Sequence, residues 1–330
     1  MNKSIYFALT VLLLLASCSN DNNATATPQD DTPSVTLEAS YTVNITQNIT
    51  YANGLSHDDL NSANASVMPL LLDAYVPDNE LENRPVLMLV HGGGFTGGSK
   101  EQEALVNLAK YFSERGFVVF SIDYRLLSNR GTIPQEWIAN ASNIPPDVLL
   151  QFYALYPAHR DAKAALRWIV ANANSYNINT DYITIGGGSA GATTAIGIGV
   201  SELGDYRDEI SLNTDSTLAT TNLSQTYSVQ TILDFWGSSN SIEALELVYG
   251  VQRFGANNPA LFIAHGTADP TVLFSEAEEL RSIYQANQVP FVFYELAGAG
   301  HGAWNAEVDG KRLEKLAFDY VVAQQNLSID

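Results

Sequence analysis

The pentapeptide Gly187-Gly188-Ser189-Ala190-Gly191 sets one serine among small residues, after the apolar run 182–185 and before Ala192, Ala195 and Ile196, which have helical spacing. A serine at a sharp strand-to-helix turn stands exposed at a sheet edge, and small neighbours permit the bend. The helix N-terminus behind it favours negative charge on a reacting oxygen. Such a serine becomes a nucleophile when a neutral imidazole takes its proton and a carboxylate orients that imidazole. Of the five histidines, His57 falls in a polar N-terminal loop, His91 in a glycine run, His159 at the opening of a helix and His265 at the end of a buried strand. His301, in Gly298-Ala299-Gly300-His301-Gly302, sits on a glycine-rich loop just past the run 291–296, a natural place for a general base. Asp269, in His265-Gly266-Thr267-Ala268-Asp269-Pro270, follows the run 260–264, and His265 is placed to orient its loop. Asp234 is the rival acid, but it lies inside its strand rather than at the carboxyl end, and Glu295 lies too near the end of the last strand.

A second motif supplies what acyl transfer also needs. His91-Gly92-Gly93-Gly94-Phe95 follows the apolar run 86–90. Three glycines let the backbone approach a ligand and turn N–H groups into a cavity. This loop, with the Ala190 N–H, is expected to hold a tetrahedral oxyanion. No cofactor and no metal are expected: the single cysteine, Cys18, is far from these motifs, and no histidine pair has zinc-ligand spacing.

The elements that must position these residues are legible as alternating periods. Apolar runs at 70–75, 86–90, 117–122, 182–185, 229–235, 260–264 and 291–296 read as strands, and 41–51 reads as strand or hairpin material. Leu105, Leu108, Ala109 and Phe112 have helical spacing, as do Ala162, Ala165, Leu166, Ile169 and Val170. Strands alternating with helices predict an α/β domain over residues 35–330 with a mostly parallel sheet flanked by helices. Two stretches break the alternation. Residues 202–227 are polar. Residues 126–157 hold Pro134, Pro145 and Pro146 among Trp137, Leu149, Leu150, Phe152 and Tyr153, and are the candidate cap or lid.

Charge and the N-terminal residues bound the partners. A net charge of −20 over 330 residues, with a pI near 4.4, disfavours nucleic acid and anionic membrane surfaces. Lys3 and the apolar run 5–16 form an export signal too short to span a bilayer, and Leu15-Ala16-Ser17-Cys18 resembles a bacterial lipobox. The reading is a signal peptide over 1–17, lipidation at Cys18 and a polar tether over 18–34. The protein is then expected at the cell envelope, periplasmic or outward facing, held to membrane by the lipid alone.

The motifs at 91–95, Asp123-Tyr124-Arg125, 187–191, and the Asp269 and His301 loops together resemble the carboxylesterases of the α/β-hydrolase fold, above all hormone-sensitive-lipase-like esterases and feruloyl or acetyl-xylan esterases. The order Ser189, Asp269, His301 is that of the fold. The resemblance spans residues 70–330 and implies a serine ester hydrolase acting on small or polysaccharide-linked esters. It also implies that Gly93, Gly94 and Ala190 donate to the oxyanion and that Asp123 and Arg125 are structural. Position 188 departs from it: many hormone-sensitive-lipase-like members carry an acidic residue where this chain has glycine. Three other readings stand beside it. A true lipase would need a larger apolar face around the lid. A prolyl-oligopeptidase-like peptidase would use the same triad but brings a propeller domain for which this chain has no room. A non-catalytic binding lipoprotein on the same fold would be marked by a broken triad.

Overall fold

The computed structural model describes residues 31–330. The signal peptide, Cys18 and most of the tether lie outside the described residues. The last residues assigned to the tether are already tied down: Ser34–Val35 pairs in parallel with Ser328–Ile329, and Ser328 N–H donates to the Pro33 carbonyl.

Eight strands form the central sheet: β1 Val43–His57, β2 Ala65–Pro77, β3 Arg84–Val90, β4 Val118–Ile122, β5 Ile178–Gly188, β6 Val229–Phe235, β7 Ala260–Gly266 and β8 Phe291–Leu296. Their spatial order is β1-β2-β4-β3-β5-β6-β7-β8. The β1–β2 hairpin and the β2–β4 contact are antiparallel, and all other neighbours are parallel. The strands of the parallel part are covered on both faces, which is why they read as mainly apolar runs. Alternation still sorts them. Val86, Met88 and Val90 of β3 enter one core, and Leu87 and Leu89 enter the other.

The first core is closed by α2 (Leu149–Ala171), α3 (Ala190–Val200), α4 (Asn240–Tyr249) and α5 (Phe274–Asn287). The second is closed by α1 (Glu103–Ser113) and α6 (Leu313–Gln324). In α1 the residues Leu105, Leu108, Ala109 and Phe112 are all buried, as their spacing requires. This is the α/β-hydrolase fold, as the sequence predicts.

Local expectations are corrected at two places, His57 and residues 126–157. His57 does not lie in a loop: it ends β1, nearly buried, with Nδ1 2.8 Å from the Ser62 carbonyl and Nε2 2.9 Å from Thr132 Oγ1. The strand or hairpin expected at 41–51 is present, as one arm of a longer hairpin. Residues 126–157 do not form one separate insertion. Their last nine residues are the start of the 23-residue α2, so His159 lies inside a helix rather than at its opening. Pro157 concealed this continuity, because proline is costly in a helix interior.

Candidate active site

Ser189 sits between β5 and α3 with φ 57° and ψ −125°. A non-glycine residue in that region is strained, and strain at such a turn exposes the side chain. The turn is held by Ser189 N–H donating to the Phe235 carbonyl at 2.9 Å and Thr193 N–H to the Ser189 carbonyl at 3.0 Å. Glycine at 191 is obligatory for packing: a Cβ there would lie 2.0 Å from the Val90 carbonyl oxygen. The pentapeptide is therefore small where β3 passes beneath the turn.

The loop after β8 brings His301 over Ser189, with Nε2 2.9 Å from Ser189 Oγ. The other ring nitrogen, Nδ1, is 2.7 Å from Asp269 Oδ2. Three residues separated by 112 and 32 positions along the chain thus form one line of hydrogen bonds. Asp269 Oδ1 accepts the N–H groups of Thr271 at 2.8 Å and Val272 at 3.1 Å, an Asx-type turn that Asp269-Pro270-Thr271 could have signalled in the sequence. Burial works against charge on this carboxyl, but the His301 ring and the two N–H groups outweigh it and hold its pKa below the usual value. Asp269 is thereby kept as a carboxylate that accepts from Nδ1–H, leaving Nε2 free to take the Ser189 proton.

Of the other histidines only His265 touches this line, its Nε2 lying 3.5 Å from Asp269 Oδ2. His265 is buried, with Nε2 2.9 Å from the Val272 carbonyl, and so braces the loop whose N–H groups hold Asp269. His91 stacks on Tyr124 with ring centroids 4.2 Å apart, and His159 is fully buried, with Nδ1 2.7 Å from the Leu155 carbonyl and its pKa pushed down by burial to about 4. Asp234 is fully buried and its one hydrogen bond is accepted from the Gly237 N–H at 2.7 Å. Glu295 is exposed and lies 3.6 Å from Arg281. Asp123 receives the Lys100 N–H at 2.7 Å, and Arg125 makes a two-pronged contact with Asp161 at 2.6 and 2.8 Å, both of them scaffold contacts.

A cavity of about 670 Å³ opens beside Ser189. Gly94, Phe95 and Ala190 line it, and the Ala190 N–H is the first of the orphan donors at the start of α3. Gly93 lies one step behind: it does not line the cavity, and its carbonyl closes a turn with the Thr96 and Gly97 N–H groups. The wall is mostly apolar, with Gln151, Thr193, Ser238, Asn240 and Glu243 as polar points. From the candidate lid, Ile144, Pro145, Val148, Gln151, Phe152 and Leu155 reach it. Trp137 and Tyr153 do not: Trp137 is fully buried against Phe152 at 4.6 Å, and Tyr153 lines a separate cavity of about 570 Å³. The sequence offered no periodicity in 126–157 by which to separate wall from core. It also gave no sign of the two indoles near the imidazole, Trp236 and Trp304, whose side chains meet only through the fold.

Among the described residues, only Glu243, Glu276 and Glu279 gather three candidate metal ligands within 4.8 Å of one another. Burial first, then the two neighbouring carboxylates, raise the Glu276 pKa, so protonation relieves the crowding.

Comparison with known proteins covers the first half of this site more closely than the second. A family model described as BD-FAE matches residues 72–137 and 149–247, which include the glycine loop and Ser189 but end before Asp269 and His301. The esterase LipC of Mycobacterium tuberculosis is 25% identical over 250 residues, 66% of this chain and 53% of that one. A juvenile hormone esterase of Heliothis virescens is 32% identical over 112 residues, 34% of this chain and 17% of its own. The chain thus spans about half, or far less, of the length of these curated relatives. Among solved structures, a truncated carbohydrate esterase from gut microbiota superposes with a TM-score of 0.57 at 21% identity, covering 89% of this chain and 99% of that one. Thermogutta terrifontis esterase 2 phosphorylated by paraoxon gives 0.58 at 22%, covering 85% and 94%. These two likenesses speak for the fold.

Proposed function

The chain belongs to the BD-FAE family, and from that premise we propose that it is a serine carboxylic-ester hydrolase working through an acyl-enzyme on Ser189. One observation carries the reading: His301 bridges Ser189 Oγ and Asp269 at 2.9 and 2.7 Å beside a cavity large enough for a small ester. The Ser189 hydroxyl donates to Nε2, and as Oγ attacks the ester carbonyl its proton passes to the imidazole. Asp269 stabilises the imidazolium. The carbonyl oxygen, now negative, is received by the Ala190 N–H and by the glycine loop through Gly94, with Gly93 setting the turn behind it. The tetrahedral centre collapses, the alcohol leaves with the proton from Nε2, and water repeats the sequence on the acyl-enzyme. No organic cofactor enters these steps.

Small or carbohydrate-linked esters are the proposed substrates. The similar structures support this class: one is described as a carbohydrate esterase, and the Thermogutta enzyme is described with propionate bound and as phosphorylated by paraoxon. The test is labelling by a fluorophosphonate, together with rates on p-nitrophenyl esters, acetylated xylan, methyl ferulate and an aminoacyl anilide. Ser189→Ala should abolish labelling and reduce kcat by ~10⁴-fold or more. A folded wild-type protein that neither labels nor turns over any ester would refute the proposal, and preference for the anilide would make it a peptidase.

A further inference from the structure

We propose that Trp304 is a positioning residue for His301, and that the bare Cα of Gly188 is what gives Trp304 its seat. The proposal rests on the serine-hydrolase reading and adds a residue to it. His301 lies between two anchors of different kinds. Upstream, the loop is tied to the end of β7 by backbone and hydroxyl contacts: Gly298 N–H donates to Thr267 Oγ1 at 2.8 Å, and Ala268 N–H to the Ala299 carbonyl at 3.0 Å. Downstream, the loop turns at Gly302, φ 77°, and Trp304 N–H donates back to the Gly302 carbonyl at 2.8 Å. The largest side chain attaching that side to the body, beside Ala303, Ala306 and Val308, is the Trp304 indole. It packs on Phe235 at 4.9 Å and on Trp236 at 4.7 Å, and the Trp236 ring is itself 6.4 Å from the His301 ring.

The seat explains the glycine at 188. A Cβ built there would lie 2.6 Å from Trp304 Cζ2 and 3.3 Å from Cη2, so any side chain would occupy the volume the indole fills. Gly188 is not among the residues at positive φ, so the backbone does not demand glycine; the indole does. Phe235 joins the two halves. Its ring touches Trp304, while its carbonyl accepts the Ser189 N–H at 2.9 Å. Trp236, next along, holds φ 47°, an uncommon conformation for a bulky residue that persists only where surrounding packing enforces it. A side chain at 188 and the tryptophan after this histidine therefore compete for one volume, and this chain has taken the second.

The experiment crosses two substitutions. Trp304→Ala should lower kcat and the rate of fluorophosphonate labelling 10- to 100-fold with KM within threefold, because roughly 1 Å of misplacement in a base costs about that much. Trp304→Phe should recover most of it. Gly188→Ala should cost at least 10-fold in the wild type but less than threefold on Trp304→Ala, where the 2.6 Å clash is gone and only the 3.3 Å approach of Trp236 Nε1 remains. The deshielded Nδ1–H proton of His301, observed by NMR independently of turnover, should broaden or vanish in Trp304→Ala and Gly188→Ala. Wild-type labelling reports on the hydrolase reading, and the ratios among variants report on Trp304. A Trp304→Ala protein with an unchanged proton resonance and labelling within twofold of wild type would overturn the inference. So would costs of the two substitutions that simply multiply.

Discussion

Asp234→Asn should make the protein less stable near pH 4 and more stable above pH 7. Asp234 is fully buried, Oδ1 accepts the Gly237 N–H at 2.7 Å, and Oδ2 has no hydrogen-bond partner. The nearby Tyr284 hydroxyl, which feels the charge of Asp234, is likewise buried without a partner. Burial pushes the Asp234 carboxyl up to about 7, only partly opposed by the Gly237 N–H. In the unfolded chain the same group titrates near ~3.9. A folded pKa above the unfolded one means that stability is fully present below about pH 4 and is lost as pH rises through about 7. The gap is worth about 4 kcal/mol, accumulated at about 1.4 kcal/mol per pH unit. Asparagine keeps an acceptor for Gly237 but places an amide NH₂ where Oδ2 had no partner, at a cost of roughly 1–3 kcal/mol at every pH. The variant should therefore begin below the wild type by about that amount, gain on it by about 4 kcal/mol between pH 4 and pH 7, and stay level above. Urea unfolding of both proteins at unit pH steps measures the difference directly, with other titrations common to both. A stability difference that does not change with pH would refute the reasoning.

Asp269→Asn should lose activity by ~10⁴-fold, since the wrong tautomer is then presented to Ser189, whereas Asp234→Asn should stay within threefold of wild type at pH 7; the reverse ranking would move the acid. Truncating Val148 or Phe152 should reorder rates among acyl chain lengths, while Trp137→Ala should cost about 3–5 kcal/mol of stability and leave that order intact, a contrast read from substrate panels and melting curves together. For location, our proposal is lipidation at Cys18: wild-type protein should fractionate with membranes and be released active by detergent, and Cys18→Ser should give unprocessed precursor or a soluble form. Recovery of wild type in the soluble fraction with another N-terminus would refute the anchor without touching the chemistry.

What the sequence determined by itself was everything written in short range. Glycines at 187 and 191 mark a turn because a close carbonyl forbids a Cβ there, and that prohibition leaves a gap in side-chain size that can be read directly. Strands buried on both faces are mainly apolar, so β3, β4, β6 and β7 stood out as runs, and the helix of α1 showed its buried stripe. His301 and Asp269 were legible because each lies just past such a run, where loops gather at one end of a parallel sheet. Tertiary structure alone decided the rest. Residues 126–157 divide into cavity wall and core only through packing against α3 and α4, and Pro157 hid the helix that continues beyond them. The acidic side chain of Asp234 carries no local mark of total burial. Nor could Gly188, read beside its neighbours, show that it was empty for the sake of an indole 116 positions later. Local periodicity reports what each residue does to its own backbone and face. Which distant side chain fills a given volume depends on how the layers close, and no spacing along the chain encodes that.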